Sequence, residues 1–474
     1  MENQEGITVK KEDDFSEWYT QVIQKSDLIE YTDVSGCYIL RPTSYAIWET
    51  IREYLNEKIK KSGVKNSYFP LLIPESLLKK EKEHVEGFNP EVAWVTETGD
   101  TKLNERLAIR PTSETIMYPA YKKWIRSYKD LPLRLNQWNN IIRWEFAHPV
   151  PFLRSREFLW QEGHTAFATK KGAEEEALEI LEYYKQVFEN LLSVPMLKGK
   201  KSDKEKFAGA DSTLSVETFL PAGKGIQGAT SHNLGQNFSK VFDISFLDKD
   251  SNKQFVWQNS WGLSTRSIGI MIAMHSDNNG LILPPKVAYN KLVIVPIIFD
   301  KTKNTVLKEA KKLQNKLKKY NPILDDREDY SAGWKFNEWE LKGIPIRIEI
   351  GPKDISKNQV ILVRRDTLKK ETVRIQDTEK IIEKTLESIQ SDLFKKADKF
   401  IKDNTLEPKN INDFKKAVED KRLIKSYWCK NRECEDSIKE KTGAKILNLP
   451  FEEKKGKCIY CGKDGILAYF AKSY

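Results

Sequence analysis

A chain of 474 residues exceeds what one hydrophobic core organises, so about two to four domains are expected. Hydrophobic residues make up 39% and charged residues 31%, which excludes a disordered chain. The longest apolar run, Leu292 to Phe299, is far too short to cross a bilayer and contains Pro296. The net charge of +10 arises from 79 basic and 69 acidic side chains, and it permits a polyanionic partner without demanding one. With five Cys and no signal-peptide pattern after Met1, the chain is expected to be cytoplasmic, without membrane association or a disulfide framework.

In chain order, Trp48, Ile51, Leu55 and Ile59 recur at helical spacing and predict a helix from Ser44 to Lys61, followed by a strand from Asn66 to Pro74 that carries Pro70. The segment from Lys79 to Gly99 reads as a loop turning at Gly87-Phe88-Asn89-Pro90. A short strand, Leu107 to Arg110, enters Pro111-Thr112-Ser113-Glu114, whose proline, hydroxyls and carboxylate are helix-start chemistry. Strands over Leu133 to Phe146 and Phe158 to Phe167 then form a hairpin around a long basic loop. Leu178, Leu181, Tyr184 and Phe188 predict an amphipathic helix from Ala173 to Leu191, and the Gly-rich turns up to about Gln258 predict an antiparallel sheet.

Pro284-Pro285 marks a boundary. Beyond it a buried strand (Leu292 to Phe299), a helix through Val306, Ala310, Leu313 and Leu317, and strands at Ile344 to Ile350 and Val360 to Val363 alternate as a small α/β domain. A helix from Thr378 to about Lys402 leads into a Lys-rich segment with clustered Cys. The expected division is residues 1–284, 285–390 and 391–474.

Arg143, Arg154 and Arg156 on the hairpin, with Arg266 from later in the chain, are planar donors able to converge on polyphosphate; for any single one, a surface salt bridge to Glu145, Glu157 or Glu162 is the alternative. Cys429-x4-Cys434 and Cys458-x2-Cys461 offer four thiolates in two close pairs, which suits a closed structural zinc shell, with buried free thiols as the alternative. Cys37 stands alone and is expected to be an ordinary buried residue. The charge run from Lys198 to Lys206 reads as a solvated face that can touch nucleic acid.

Arg143-Trp144-Glu145 together with the run from Arg156 to His164 resembles the second signature motif of class II aminoacyl-tRNA synthetases in its prolyl form. The helix from Ser44 resembles the first motif, which forms the dimer interface in that family, and Ser260 to Arg266 resembles the third. Pro111 to Thr115 and Gln227 to His232 also match. The resemblance implies an α+β catalytic core, an antiparallel sheet flanked by helices, then an α/β anticodon-binding domain and a small α/β zinc-binding C-terminal domain. It implies a homodimer that uses ATP with Mg2+ to convert L-proline to prolyl-adenylate and passes the prolyl group to the 3′ end of tRNA(Pro). Another class II synthetase or an adenylate-forming paralogue is the alternative on the same fold; a catalytically dead tRNA-binding module should have lost Arg143 or Arg266.

By the same resemblance Arg143 and Arg266 are the catalytic arginines. Arg143 bridges the substrate carboxylate and the α-phosphate, Phe158 and Arg266 sandwich the adenine, and Arg154 holds the distal phosphates. Glu145 sits near the adenine amine, and Gln227 and Thr230 near the sugar and phosphates. Thr112 and Glu114 bind the ammonium of proline, Trp160, Glu162, His164 and His232 line its pocket, and Phe88 closes over it as a flap. Glu340, Arg347, Lys353 and Asp354 read the anticodon guanines, a helix-surface ion-pair network being the alternative. The tail carboxylate of Tyr474 tucks toward the active site, and the interval between the second and third motifs leaves no room for an editing domain.

Overall fold

Strands with one polar side form the centre of the molecule. In the computed structural model, which describes residues 6–84, 91–452 and 454–474, the strands Leu197–Lys200, Ser212–Leu220, Lys224–Gly235, Trp257–Ser264, Glu157–Phe167 and Leu133–Ile142 lie antiparallel in that order. The short Lys65–Asn66 strand pairs parallel at the far edge. Register sets Glu162 and Thr230 on either side of Gly262, and His164 and His232 on either side of Ser260. Because successive side chains alternate between faces, these residues share one face. Their neighbours face the helix Lys170–Gln186 instead: Tyr184 Oη donates to Gln161 Oε1 at 2.8 Å, and Asn259 Nδ2 to Glu176 Oε2 at 2.8 Å.

That helix starts where Thr169 Oγ1 accepts from Gly172 N at 3.2 Å, and it buries Ala173, Ala177, Ile180, Leu181 and Tyr184. Leu178, expected on the buried stripe, is 49% exposed. The stripe is set by the small Ala173 and Ala177, which let the helix approach the sheet, rather than by the larger Leu178.

The helix Arg266–His275 runs through the core, and every residue from Ser267 to His275 is buried. It has no polar face because the sheet covers one side while residues of the helices Phe15–Lys25 and Pro42–Lys61 join the same apolar cluster. Burying each of Ile268, Ile270, Met271 and Ile272 contributes roughly 1.5–3 kcal/mol. Apolar packing therefore fixes where Arg266, at the first turn, stands.

Two expectations in the N-terminal region change. The strand expected from Asn66 to Pro74 is two short strands in different sheets, Lys65–Asn66 and Leu72–Pro74, with Pro70, which lacks an N–H, between them. The expected loop from Lys79 to Gly99 contains the end of the helix Glu75–His84 and the strand Trp94–Thr98, which pairs with Thr101–Ile109 through a turn at Gly99. Both are surface elements whose exposed faces dilute the apolar period.

Beyond Pro285, five strands lie in the order Ile323–Leu324, Leu292–Pro296, Ile346–Ile350, Gln359–Arg364 and Lys370–Arg374; the first three are parallel and the others antiparallel. The helices Lys303–Lys316 and Thr378–Asp403 supply Ala310, Leu313, Ile382 and Ile389 to their core.

The C-terminal segment joins the catalytic sheet edge to edge. Leu449 in the strand Lys445–Pro450 pairs with Lys200, and the sheet continues through Asp464–Ala471, Leu423–Trp428 and Thr405–Leu406. The Lys198 to Lys206 run, expected as a solvated face, is part of this seam. Lys201 is 8% exposed, its Nζ donating to Leu447 O at 2.8 Å beside the buried Glu217, and Lys204 pairs with Asp436. Among the described residues no helix is long and apolar enough to cross a membrane.

Candidate active site

The polar face of the sheet opens into a cavity of about 270 Å³. Its wall brings together carboxylates (Glu114, Glu162), histidines (His164, His232), guanidinium groups (Arg143, Arg266) and the rings of Phe158 and Trp160. Thr112, Gln227 and Thr230, also expected from the sequence, line the same wall.

Glu162 is 1% exposed and saturated with donors. Ser113 N (3.1 Å) and His164 Nε2 (3.0 Å) meet its Oε2, while Ser113 Oγ, Gln137 Nε2 (2.7 Å) and Asn139 Nδ2 (2.9 Å) meet its Oε1. Burial alone would raise the carboxyl pKa, but the hydrogen bonds from His164, Ser113 and Asn139 and the His164 charge hold it below the ordinary value. Glu162 is thus an anion whose acceptor sites are spent on shaping the pocket. Glu114, 2% exposed, takes the Thr112 hydroxyl and lies with Glu162 and His164 in a group whose ligand atoms are all within 4.8 Å of one another. Ser113, Gln137 and Asn139 went unassigned in the sequence; the strand Leu133–Ile142 also carries Arg134, Asn136 and Asn140, so its polar residues gave no pattern that singled out Gln137 and Asn139.

His232 is clamped at both ring nitrogens, Thr213 Oγ1 at 2.9 Å from Nδ1 and Thr230 Oγ1 at 3.0 Å from Nε2, with the Phe207 ring 4.7 Å away. Desolvation, reinforced by Arg143 and His164, lowers its pKa to about 3, so it is neutral at physiological pH. Thr213 and Phe207 were also missed; Thr213 is directly opposite His232 in the strand pairing. Trp160 Nε1 and Ser260 Oγ, both in residues of the wall, are buried without a hydrogen-bond partner among the described residues, leaving polar groups for a ligand.

The arginines are held from behind. Arg143 Nε donates to Pro111 O at 3.0 Å, with its guanidinium 5.8 Å from the Phe158 ring and 5.3 Å from that of Trp160. Arg266 Nε donates to Leu153 O at 3.1 Å; burial, with Arg143 and Arg154 nearby, brings its pKa down to about 10, still a cation at pH 7. Leu153 and Phe152, 1% and 4% exposed, pin the hairpin loop to the core. Arg156 departs from the expected convergence: its guanidinium donates to Phe146 O at 3.0 Å and Ser35 O at 3.1 Å, and lies 4.5 Å from the Trp144 ring, so it braces the loop. Glu145 is exposed and outside the cavity wall. Arg154 lines a neighbouring cavity of about 190 Å³ with Arg266, Lys201, Lys445 and Tyr474. There the chain end pairs with the strand leading to Gln227: Gly225 N donates to Lys472 O at 2.7 Å and Tyr474 N to Gly225 O at 3.1 Å. Phe88 lies outside the described residues.

Comparison with known proteins bears directly on this arrangement. Residues 94–275 match the tRNA synthetase class II core domain (G, H, P, S and T), 291–385 the anticodon binding domain and 411–474 the C-terminal domain of prolyl-tRNA synthetase. A proline–tRNA ligase of Natranaerobius thermophilus is 51% identical, the match covering 99% of this chain and 98% of the relative. The chain belongs to the prolyl-tRNA synthetase family. Proline–tRNA ligase 2 of Clostridioides difficile is 50% identical over 99% of this chain and 98% of its own length. The bifunctional glutamate/proline–tRNA ligase of Mus musculus is 48% identical over 99% of this chain but only 33% of that longer protein. Between Phe167 and Trp257, where some members of the family carry an extra domain, the described elements are the backing helix, strands of the catalytic sheet, a short helix and one small hairpin.

In the anticodon-binding domain of this family member, Arg347 Nη1 donates to Glu340 Oε1 at 2.7 Å and Nη2 to Glu349 Oε1 at 2.9 Å, and its guanidinium is 4.2 Å from the Phe336 ring. Asp354 caps its own helix, accepting from Gly351 N at 3.0 Å. Lys353 lies beside it at the start of the same helix, Pro352–Ser356.

The four clustered cysteines converge: their sulfurs all lie within 4.8 Å of one another, with Cys429 and Cys461 3.6 Å apart. A tetrahedral zinc about 2.3 Å from each thiolate needs edges of about 3.8 Å. Cys429, Cys434, Cys458 and Cys461 fit such an ion. Cys37, expected to be buried, is only partly so.

Proposed function

We propose that the chain activates L-proline with ATP to prolyl-adenylate and pyrophosphate, and then transfers the prolyl group to the terminal ribose of tRNA(Pro). The observation that carries this reading is the single cavity joining a buried carboxylate cluster, Glu114 and Glu162, to the cations Arg143 and Arg266. A zwitterionic amino acid needs anions for its ammonium and cations for its carboxylate. ATP needs cations and aromatic faces.

The proline carboxylate is ionised at pH 7 and attacks the α-phosphorus without a general base, pyrophosphate leaving with the electron pair of the broken P–O bond. The protein's work is alignment and charge stabilisation. Arg143 bridges the carboxylate and the α-phosphate, Arg266 and Phe158 sandwich the adenine, and Arg154 meets the distal phosphates. Glu145 is placed near the adenine amine, and Gln227 and Thr230 near the ribose and phosphates. Thr112 and Glu114 hold the secondary ammonium; Trp160, His164 and His232 wall the ring, with Glu162 keeping His164 and Ser113 in place. Mg2+ bound with ATP supplies further charge neutralisation on the phosphates. In the second step the tRNA 3′-hydroxyl attacks the prolyl carbonyl and AMP leaves.

The same reading divides the chain into a catalytic domain (1–284), an anticodon-binding domain (285–390) and a zinc-binding domain (391–474) whose cysteines hold a structural zinc. Glu340, Arg347, Lys353 and Asp354 read the anticodon guanines. It makes the chain a cytoplasmic homodimer that pairs through the region of the helix Pro42–Lys61. Tyr68, 72% exposed just beyond that helix, and Trp124, 51% exposed, support such an apolar interface. The test is charging of tRNA(Pro) with labelled proline: acid-precipitable prolyl-tRNA is expected. Adenylate formation without charging would overturn the tRNA half of the reading.

A further inference from the structure

We infer that Arg365 is a positioning residue that couples the anticodon-binding surface to the ATP site by way of Asp277. The inference rests on the proposed charging of tRNA and adds to it the joint through which the two distant sites are held in register.

The Arg365 side chain is 2% exposed and makes a fork to Asp277, Nη2 to Oδ1 at 2.6 Å and Nη1 to Oδ2 at 2.9 Å. Its third nitrogen, Nε, donates to Glu340 O at 2.6 Å. One guanidinium thus ties two segments from different domains, each of its three nitrogens donating one hydrogen bond.

Each segment leads directly to a site. Asp277 follows, by two residues, the buried helix Arg266–His275, whose first residue lines the ATP-binding cavity. Its backbone is itself anchored, the carbonyl accepting from Trp18 Nε1 at 3.0 Å and from Gly280 N at 3.2 Å. Glu340 lies one residue before the end of the helix Ala332–Leu341, and its carboxylate takes Arg347 Nη1 at 2.7 Å on the candidate anticodon surface. The path is Arg347, Glu340, Arg365, Asp277, then a rigid buried helix to Arg266.

The surrounding backbone leaves this joint little slack. Leu281 N donates to Leu341 O at 3.0 Å. Gly280, at φ +126°, leaves no space for a side chain, since a Cβ there would stand 2.6 Å from Leu341 Cα; Gly343, at φ +72°, would put one 2.6 Å from Leu281 O. The end of the anticodon helix and the segment after the ATP-binding helix are therefore in backbone contact from both sides, so a shift of one is felt by the other. A guanine that draws on Glu340 or Arg347 competes with the bond between them and loads this joint. A bidentate ionic link responds to such loading with a directional change that an apolar contact would not give.

The experiment uses the full-length chain and two variants, Arg365→Gln and Asp277→Asn. Three quantities are measured: tRNA-free ATP–pyrophosphate exchange with proline, and kcat and KM for charging tRNA(Pro) and a tRNA(Pro) in which both anticodon guanines are replaced. The unaltered chain should charge the substituted tRNA with a lower kcat as well as a higher KM. Both variants should keep exchange within about twofold, and their kcat discrimination between the two tRNAs should fall by roughly tenfold. Should the buried Arg365→Gln variant lose exchange through misfolding, Asp277→Asn, which keeps the shape of the joint, decides alone. Undiminished kcat discrimination in an exchange-competent Asp277→Asn would overturn the inference, as would loss of exchange in both variants, which would make the pair merely structural. Failure of the unaltered chain to charge tRNA(Pro) would sink the prolylation reading first, and this inference with it.

Discussion

His164 Nε2 lies 3.0 Å from Glu162 Oε2, and both residues are 1% exposed. The carboxylate also gathers Ser113, Gln137 and Asn139, so it orients three segments of the cavity proposed to bind proline. Glu162→Gln puts an amide NH2 among these donors. A destabilisation of roughly 1.5–3 kcal/mol is expected, the range for hydrogen bonds to a charged group. In exchange kinetics the KM for proline should rise by roughly tenfold or more, as in sites whose buried polar groups are left mispaired, while the KM for ATP is unchanged. An unaltered proline KM would remove Glu162 from the pocket's architecture.

Arg143 is held by Pro111 O and flanked by Phe158 and Trp160, and among the described residues no carboxylate pairs with it, so its charge is directed at the cavity. Arg143→Ala should lower kcat for exchange by roughly 10²–10³-fold, the usual cost of losing one donor to transition-state charge. Far-ultraviolet circular dichroism should be unchanged. Retained activity would take Arg143 out of the mechanism.

Much of this site was legible in the sequence because its residues alternate along strands. Trp160, Glu162 and His164 sit at a period of two, which places them together before any register is known. What was not legible depended on pairing across chain distance. Thr213 reaches His232 only through the register of two strands, Phe207 only through the loop before them, where its N–H donates to Thr213 Oγ1, and Arg156 turns to Phe146 O because the loop is pinned by Phe152 and Leu153. Lys201 looked like a surface charge because its partners, Glu217 and Leu447 O, are brought to it by the sheet and by the C-terminal strand. The helix Glu75–His84 escaped notice because its sequence is dominated by Glu and Lys rather than by an apolar stripe.

His275 Nε2 donates to Leu192 O at 2.7 Å at the buried end of the helix Arg266–His275, and burial lowers its pKa from 6.5 to about 4. Below pH 6.5 the unfolded chain takes up a proton that the folded chain refuses until about pH 4. Its stabilising contribution is therefore complete above pH 6.5 and shrinks as pH falls through that window, by about 3 kcal/mol in all. Unfolding midpoints measured at pH 7 and pH 4.5 should differ less for His275→Gln than for the unaltered chain. Equal shifts would show that His275 does not titrate this way.

Cys434 and Cys458 are 7% and 3% exposed, and their domain shares a sheet edge with the catalytic strand Leu197–Lys200. The protein should carry about one zinc per chain by elemental analysis, the stoichiometry of a four-thiolate site. Cys434→Ser should lose it and lower the unfolding midpoint of the whole molecule, not of a detached module. Full zinc content in that variant would exclude the cluster as the binding site.

The central claim, that this cavity pairs proline with ATP, is tested most directly by amino-acid-dependent ATP–pyrophosphate exchange across all twenty amino acids. Proline should support the fastest exchange at the lowest concentration. Faster exchange with any other amino acid, or no exchange with proline, would contradict it.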